Sequence, residues 1–522
     1  MPLRRRPRPD RPGSVRAPVA CLLLSLAALA PAGAAAAERA ATLRLEPASV
    51  LQLALAHNAD LQYAKLQSAV AREGFEAETG LYLPIAYASF RRDGRSRPRT
   101  VEERLTAALG GIARLEESGR SGELGMKVRT PTGAEASLAW RSTQKRSNVI
   151  DSAQFSPSDS ESNAALVMTV RQPLMRGASR DVVETDLRVA EAEREVGRWQ
   201  YRQQLLRVAS DALSAYWQLQ RAVAAQAMRR TALDNALALR EDTRVRIAGG
   251  RLAASVLDEA NVAVATRQAD IARGAQAVAE AEARLRVLLD LPPEDGGWTL
   301  AAPPAPDPSP VDEGLAGAAR RVPAALAAWP PLRVAQFRRQ QAEHRLKLAD
   351  DRTLPALDVS LSVSSNALEY GPMSAAERAL EGRNPDWTLG FSLEIPIGGD
   401  PRAKAQQRAQ QLRLQQAELE IRSVQQALAS DVYNRVAQLD ALKREQAQML
   451  ADRNARRELL AADEAQYNTG SAPLNRLLRR QADVLDAELK LADGAARVAL
   501  AQVSLQLADG TLLASHRVEF ED

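Results

Sequence analysis

The sequence predicts a mainly α-helical protein with a small β part. In this fold, duplicated long helical hairpins form an α-helical barrel, and four strands per chain join a β-barrel shared between protomers. Three observations support the prediction: a secretory signal opens the chain, one structural unit occurs twice, and strand-like segments precede a long helical hairpin in each copy. Apolar residues make up 45% of the chain and aromatic residues only 4%, a composition that suits long, closely packed helices.

Residues 1–37 are predicted to be a signal peptide. Six arginines precede an apolar run from Val19 to Ala30, and small residues ending at Ala37 follow it, which is the order of a secretory signal. The apolar run is too short to span a bilayer stably; a retained anchor is the alternative. The segment contains the chain's single cysteine, Cys21, so disulfides and thiol catalysis are excluded from the mature chain.

Removal of the signal changes the charge of the protein. Residues 1–37 carry six Arg and one Asp, a net +5, and subtracting this from the whole-chain charge of +4 leaves −1. The basic character of the full sequence is therefore no evidence for nucleic-acid binding.

Two ungapped alignments within the chain indicate an internal duplication. Residues 61–84 align on 332–355 with an offset of 271, and residues 209–290 align on 429–510 with an offset of 220. The offset falls because the first copy carries an insertion between residues 91 and 162. Matched positions include Pro84 with Pro355, Gly250 with Gly470 and Gly274 with Gly494.

The duplication defines the expected domain organisation. A segment rich in Pro, Gly and Asp separates the copies and is typical of a linker. We predict a first structural repeat over 38–290, a linker over 291–312, a second repeat over 313–510 and a C-terminal tail over 511–522.

Each copy is expected to begin with one helix, over 47–79 and 313–351, followed by strands. These strands lie over about 81–172 in the first copy and 357–395 in the second, where alternating apolar and polar residues indicate a strand. The insertion over 91–162 contains an extra predicted hairpin and a Ser-rich stretch, expected to be a mobile loop without a binding role. The predicted strands are Ile85–Arg91, Ala164–Gln172, Leu357–Ser364 and Trp387–Ile395, and the hairpin is Glu123–Thr130 with Ala134–Thr143.

Long helical hairpins are predicted over 178–290 and 402–508. Residues 402–469 contain neither Pro nor Gly, and about 65 helical residues form a rod of roughly 100 Å. A rod with a narrow apolar face is unstable alone, and an open four-stranded sheet in lipid leaves two unpaired edges. No mature segment has 18 consecutive apolar residues, so a membrane-spanning form requires a closed β-barrel completed by further copies of the chain.

The chain resembles the TolC-like outer-membrane efflux proteins over almost its full mature length. The resemblance implies a homotrimer with a twelve-stranded barrel in the bacterial outer membrane and a helical tunnel through the periplasm. It also implies docking of a periplasmic adaptor and an inner-membrane transporter at the far end. The residues that carry it are Leu51–Leu61, Leu83-Pro84, Gln172–Gly177, Ile395–Gly399, Tyr467–Gly470 and Leu477-Leu478.

The periplasmic tip and its entrance are the candidate functional site. The turns at Gly249, Gly250 and Gly470 are expected to need a positive φ, with adaptor contact as an added use. The family places aspartates after the second turn, whereas this chain has Arg476, Arg479 and Arg480. The hypothesis is a basic entrance constriction that favours anionic or neutral cargo. In the alternative, these arginines face solvent or pair with Asp483 and Glu488.

No catalytic residue, cofactor or metal site is expected. His57, His344 and His516 are far apart in sequence and lack metal-ligand spacing, and no phosphate- or nucleotide-binding motif occurs. The function predicted is a passive exit duct of a tripartite efflux or type I secretion system. The alternative is a periplasmic coiled-coil scaffold or adaptor without a pore, and an enzyme has no supporting site.

Overall fold

The computed structural model describes residues 43–100, 114–148, 158, 160–292, 298–300 and 314–516. The predicted signal peptide, most of the predicted linker and the last residues of the tail lie outside these ranges. Helices dominate the described part, and one antiparallel sheet forms most of the rest, which confirms the predicted mainly α-helical fold with a small β part. None of the described helices combines the length and the apolar character needed to cross a bilayer.

The helices of the two copies follow the same order. Each copy has two shorter helices, then a very long helix and a returning helix. In the first copy these are α1 (Pro47–His57), α2 (Ala59–Thr79), α4 (Thr185–Ala248) and α5 (Val256–Leu289), with the short α3 (Arg180–Val183) before the long helix; in the second they are α6 (Gly314–Ala328), α7 (Pro330–Asp351), α9 (Pro401–Asn468) and α10 (Leu474–Ala508), followed by α11 (Leu512–Ser515).

Within the described residues, six strands form a single antiparallel sheet, and two short strands pair separately in parallel. The parallel pair is β1 (Leu43–Leu45) with β6 (Trp298–Leu300). The order in the large sheet is β2 (Ile85–Pro98), β3 (Arg114–Arg129), β4 (Glu135–Ser147), β5 (Ser160–Pro173), β7 (Ala356–Glu369) and β8 (Pro385–Glu394), with a short helix, α8 (Pro372–Leu380), between the last two.

The number of strands differs from the prediction of four per chain. The hairpin β3–β4, predicted as an extra feature of the insertion, lies inside the sheet between β2 and β5. Strands β4 (Glu135–Ser147) and β5 (Ser160–Pro173) pair with each other, and both extend into the stretch predicted to be a mobile loop. The loop was predicted over 144–163; its two ends are paired strand, and residues 149–157 and 159 lie outside the described residues. At these ends the prediction was wrong because polar, charged segments pair as well as apolar ones once their neighbours supply a complete hydrogen-bond ladder.

Each predicted first helix is split in two, at Asn58 and at Trp329. The Asn58 side chain accepts a hydrogen bond from the Leu61 amide (3.1 Å) and donates one to the Leu288 carbonyl (3.0 Å), so it caps the second helix. In the second copy Pro330 begins the helix, where its missing N–H is harmless. The two breaks are 271 residues apart, the same offset as the sequence alignment.

A carboxylate caps the start of α9, and both helical hairpins have close contacts at a glycine. The Asp400 carboxylate accepts hydrogen bonds from the Arg402 and Ala403 amides at 2.9 and 3.0 Å, which caps the 68-residue α9. On the returning helices, the equivalent residues Gly274 and Gly494 face Gln226 and Met449 so closely that a Cβ there would overlap them. Both hairpins therefore place a glycine where a side chain of the facing helix occupies the space of a Cβ.

A buried carboxylate joins the sheet to the helices. Asp351, at the end of α7, accepts hydrogen bonds from the Gly177 amide at 3.1 and 2.9 Å, which ties the second copy to the turn after β5. Nearby, Glu184 is buried and its pKa is lowered, chiefly by the hydrogen bond from Arg180. The junction is thus held by hydrogen bonds to carboxylates, and the lowered pKa of Glu184 keeps that side chain ionised at neutral pH.

Two neighbouring apolar cores share α4: the larger forms with α1 and α5, and a smaller one forms with α1, α10 and α11. Leu213 and Tyr216 of α4 are almost completely buried. Leu213 packs on residues of both copies, so the core links the two halves of the chain. Its neighbours are Leu51, Ala209, Val503 and Leu512.

We expect Leu213→Ala to lower the free energy of unfolding by about 3 kcal/mol, because it removes buried methylene groups and leaves a cavity. The control is Leu412→Ala, on the other long helix, where the side chain is 60% exposed and the expected loss is below about 1 kcal/mol. Denaturant unfolding followed by circular dichroism measures both. Equal losses would show that Leu213 is not part of a shared core.

Candidate functional site

The two tips of the helical hairpins are built in the same way. At the first, Gly250 has φ 73° and the Arg251 amide donates to the Arg246 carbonyl at 2.9 Å. At the second, Gly470 has φ 80° and the Ser471 amide donates to Gln466 at 2.9 Å. This bond across five residues around a left-handed glycine is the Schellman ending of a helix.

Gly249 does not have the positive φ predicted for it. Its φ is −82°, and a Cβ there would lie 3.6 Å from the nearest atom, an ordinary contact. The chain reverses its backbone at Gly250 alone, since a Schellman ending needs only one left-handed residue. The prediction for Gly249 was therefore wrong.

The two tips contact each other through Arg246 and Tyr467. The Arg246 guanidinium lies 4.7 Å from the Tyr467 ring centroid and donates to the Tyr467 carbonyl (3.3 Å) and to Asn468 Oδ1 (3.0 Å). Asp242 pairs with its Nε at 2.7 Å, so the guanidinium is held from both sides. Around them lies an apolar cluster that contains Ala260, Tyr467, Ala472, Leu474 and Leu477.

Two of the three predicted entrance arginines share one buried carboxylate. The Asp463 carboxylate forms ion pairs with Arg476 Nη2 at 2.7 Å and with Arg480 Nε at 3.0 Å. The Asp463 side chain itself is only 5% exposed. Arg480 also reaches Asp483 at 3.5 Å, as the alternative predicted. The positive charge of these two arginines is largely neutralised where they lie.

Arg479 is exposed, and no ion pair is recorded for it in the described part of the chain. Glu488, expected as a partner, pairs with Arg457 instead. Sequence spacing could not distinguish the three arginines, because Asp463 belongs to the other helix of the hairpin. The structure thus reduces the candidate basic entrance to one free guanidinium.

An open groove of about 600 Å³ lies between the two hairpins near the tip. Polar and charged side chains from both copies line it, and they form no catalytic arrangement. Among the described residues, no three His, Cys, Asp or Glu side chains are placed to hold a metal ion. The groove lining includes Asp242, Arg267, Arg457, Glu464, Tyr467 and Glu488.

Comparison with known proteins identifies the family of the second copy. Residues 322–511, a little over a third of the chain, match the outer membrane efflux protein family. No curated protein matches the chain. The resemblance predicted from the sequence motifs is confirmed, and the members of this family are passive channels rather than enzymes.

Solved channel structures share the fold of nearly the whole chain. CusC is 15% identical with a TM-score of 0.64, over 90% of this chain and 92% of that one. CmeC of Campylobacter jejuni is 12% identical with a TM-score of 0.60, over 90% and 86%. The open state of MtrE of Neisseria gonorrhoeae is 18% identical with a TM-score of 0.59, over 90% and 89%. Together with the family match, they support an outer-membrane efflux channel with its helical part in the periplasm.

We expect Gly250→Ala to destabilise the first tip by about 1 kcal/mol, because alanine is strained at positive φ. Gly249→Ala is the matched control and should be neutral or slightly stabilising, since its φ suits any residue. Amide hydrogen exchange over residues 240–256 measures local opening of the tip. Equal protection in the two variants would contradict the assigned backbone geometry.

We expect Asp463→Asn to cost about 1–3 kcal/mol, because it leaves Arg476 and Arg480 without their shared charge-assisted acceptor. Asp486→Asn on the same hairpin is the control; its pair with Lys490 is exposed at both ends and should contribute less than about 1 kcal/mol. Unfolding midpoints in denaturant measure both. A loss no greater for Asp463→Asn than for the control would show that the buried carboxylate is not stabilising.

Proposed function

We propose, from the premise that residues 322–511 form an outer membrane efflux protein domain, that this chain is the passive exit duct of a tripartite export system. Three copies would form one channel, with repeats over 38–290 and 313–510 after removal of residues 1–37. An inner-membrane transporter and a periplasmic adaptor would dock at the helical tips. The channel supplies no chemistry of its own, so energy for transport comes from the transporter.

The observation that carries the proposal is the two-faced sheet. On β8, Trp387, Leu389 and Phe391 are 70%, 51% and 72% exposed, and they share one face. The residues that alternate with them, Thr388, Gly390 and Ser392, present small or polar groups on the other face. In water such an apolar face is unfavourable, whereas in lipid it is matched to its surroundings.

The same observation disfavours the scaffold without a pore. A periplasmic coiled coil explains the long helices but leaves the apolar face of the sheet in water. On β7, Leu361 and Val363 lie opposite Leu389 and Trp387, so the apolar face continues across strands of the second copy. A soluble scaffold would carry charges at these positions.

The tips are proposed as the docking site. Gly250 and Gly470 end the hairpins, and the groove beside them is lined by charged groups of both signs from both copies. This surface suits a polar, reversible contact with an adaptor more than an apolar one. Arg479 would then be the free positive charge at the entrance.

Purified protein reconstituted in planar bilayers tests the channel. We expect heat-resistant trimers from outer membranes and stepwise ion conductance, because three chains are needed to close the wall. A monomer that is folded and water-soluble without detergent, with no conductance, would favour the scaffold instead.

We expect Arg479→Gln to lower the preference of the channel for anions. Of the three predicted entrance arginines, Arg479 is the one for which the described chain contains no ion pair, so the substitution removes its positive charge. Reversal potentials in a salt gradient measure the preference. The matched control is Arg408→Gln near the start of α9, about 90 Å from the tip along the helix. A reversal potential that stays unchanged in Arg479→Gln would remove the basic-entrance hypothesis and leave the channel itself standing.

A further inference from the structure

The inserted hairpin β3–β4 is in continuous register with the rest of the sheet. Ile85 of β2 lies opposite Lys127, which lies opposite Ser137, and the row continues without a bulge into the second copy. A separate hairpin on the surface would not share this ladder. The full row is Ile85, Lys127, Ser137, Thr169, Ser362 and Thr388.

The hairpin also shares the apolar face of the sheet. Met126 of β3 and Leu138 of β4 are 48% and 46% exposed, close to the 50% of Met168 on β5. They are direct cross-strand neighbours, so they lie at one level of one face. The row at this level is Ala86, Met126, Leu138, Met168, Val363 and Trp387.

Near the row of Met126 and Leu138, the opposite face of the hairpin carries polar groups. Glu123 of β3 accepts a hydrogen bond from the Tyr87 hydroxyl at 2.9 Å and pairs with Arg141 at 3.3 Å. Arg171 and Asp358 pair at 2.7 Å further along the same face. A polar face with cross-strand ion pairs is typical of the water-filled side of a barrel wall.

The edges of the sheet are compatible with each other. β2 and β8 are the outermost strands, and each leaves one row of backbone groups without a partner in the sheet. All neighbours are antiparallel and the strand number is six. Because the number is even, β8 of one copy would meet β2 of the next in antiparallel orientation.

We propose that a second copy of this chain pairs its β2 with β8, and that three copies close a wall of eighteen strands, three times six, instead of the twelve of the family. This rests on the proposed channel function. Barrel diameter grows roughly linearly with strand number, so the wall is about 1.5 times wider and its opening roughly twice the area. The insertion thus adds one hairpin per copy to the wall itself.

Cryo-electron microscopy of wild-type trimers in detergent counts the strands. We expect eighteen, with Met126 and Leu138 on the outer surface. A twelve-stranded wall with β3–β4 outside it would overturn the inference while leaving a conducting channel intact. Absence of trimers and of conductance would overturn the proposed function as well.

A deletion provides the matched variant. Removing residues 99–159 takes out β3 and β4, and register tracing places Gly94 opposite Ser160, joined by the four residues 95–98. Loops of this length connect antiparallel strands readily, so we expect trimers with twelve strands and a wall about two-thirds as wide. An unchanged diameter would contradict the inference; if the variant does not fold, the wild-type count decides.

Discussion

Unpaired backbone groups along the two edge strands are the constraint on which the proposed assembly of this chain depends. In the interior of the sheet each N–H and C=O has a cross-strand partner, but β2 and β8 are each paired on one side only. In lipid an unpaired group costs several kcal/mol, and both strands are ten residues or longer. Because β2 and β8 stand at opposite ends of the strand order, the proposed channel depends on neighbouring copies to pair them.

The helices follow from the same constraint. α9 extends for 68 residues, about 100 Å, and only a narrow part of its surface is buried within one chain. Buried positions recur at Leu428, Val432, Val436 and Leu439, the spacing of one helix face. In the proposed trimer, neighbouring hairpins would cover the remaining faces while the polar residues line water. The sheet and the helices thus need the same partners.

Periodicity and internal alignment predicted the helices and the duplication because both depend on local spacing. They failed where tertiary contacts decide. The hairpin β3–β4 is rich in charge, and its membership of the sheet depends on neighbours distant in sequence. The Asp463 carboxylate lies on the opposite helix from Arg476, so spacing alone left its pairing open. Arg246 was missed because one arginine in a polar helix carries no signal, although its partner Tyr467 belongs to a motif of the family.

The matched helix breaks at Asn58 and Trp329 show where the inserted hairpin changes the spacing between the two halves. They are 271 residues apart, whereas the tip glycines Gly250 and Gly470 are 220 apart. The difference lies within the segment that holds β3 and β4, which has no counterpart in the second copy. The two halves therefore share two strands and one helical hairpin, and β3–β4 belong to the first half only. A substitution in β3 or β4 consequently has no equivalent position in the second half of the chain.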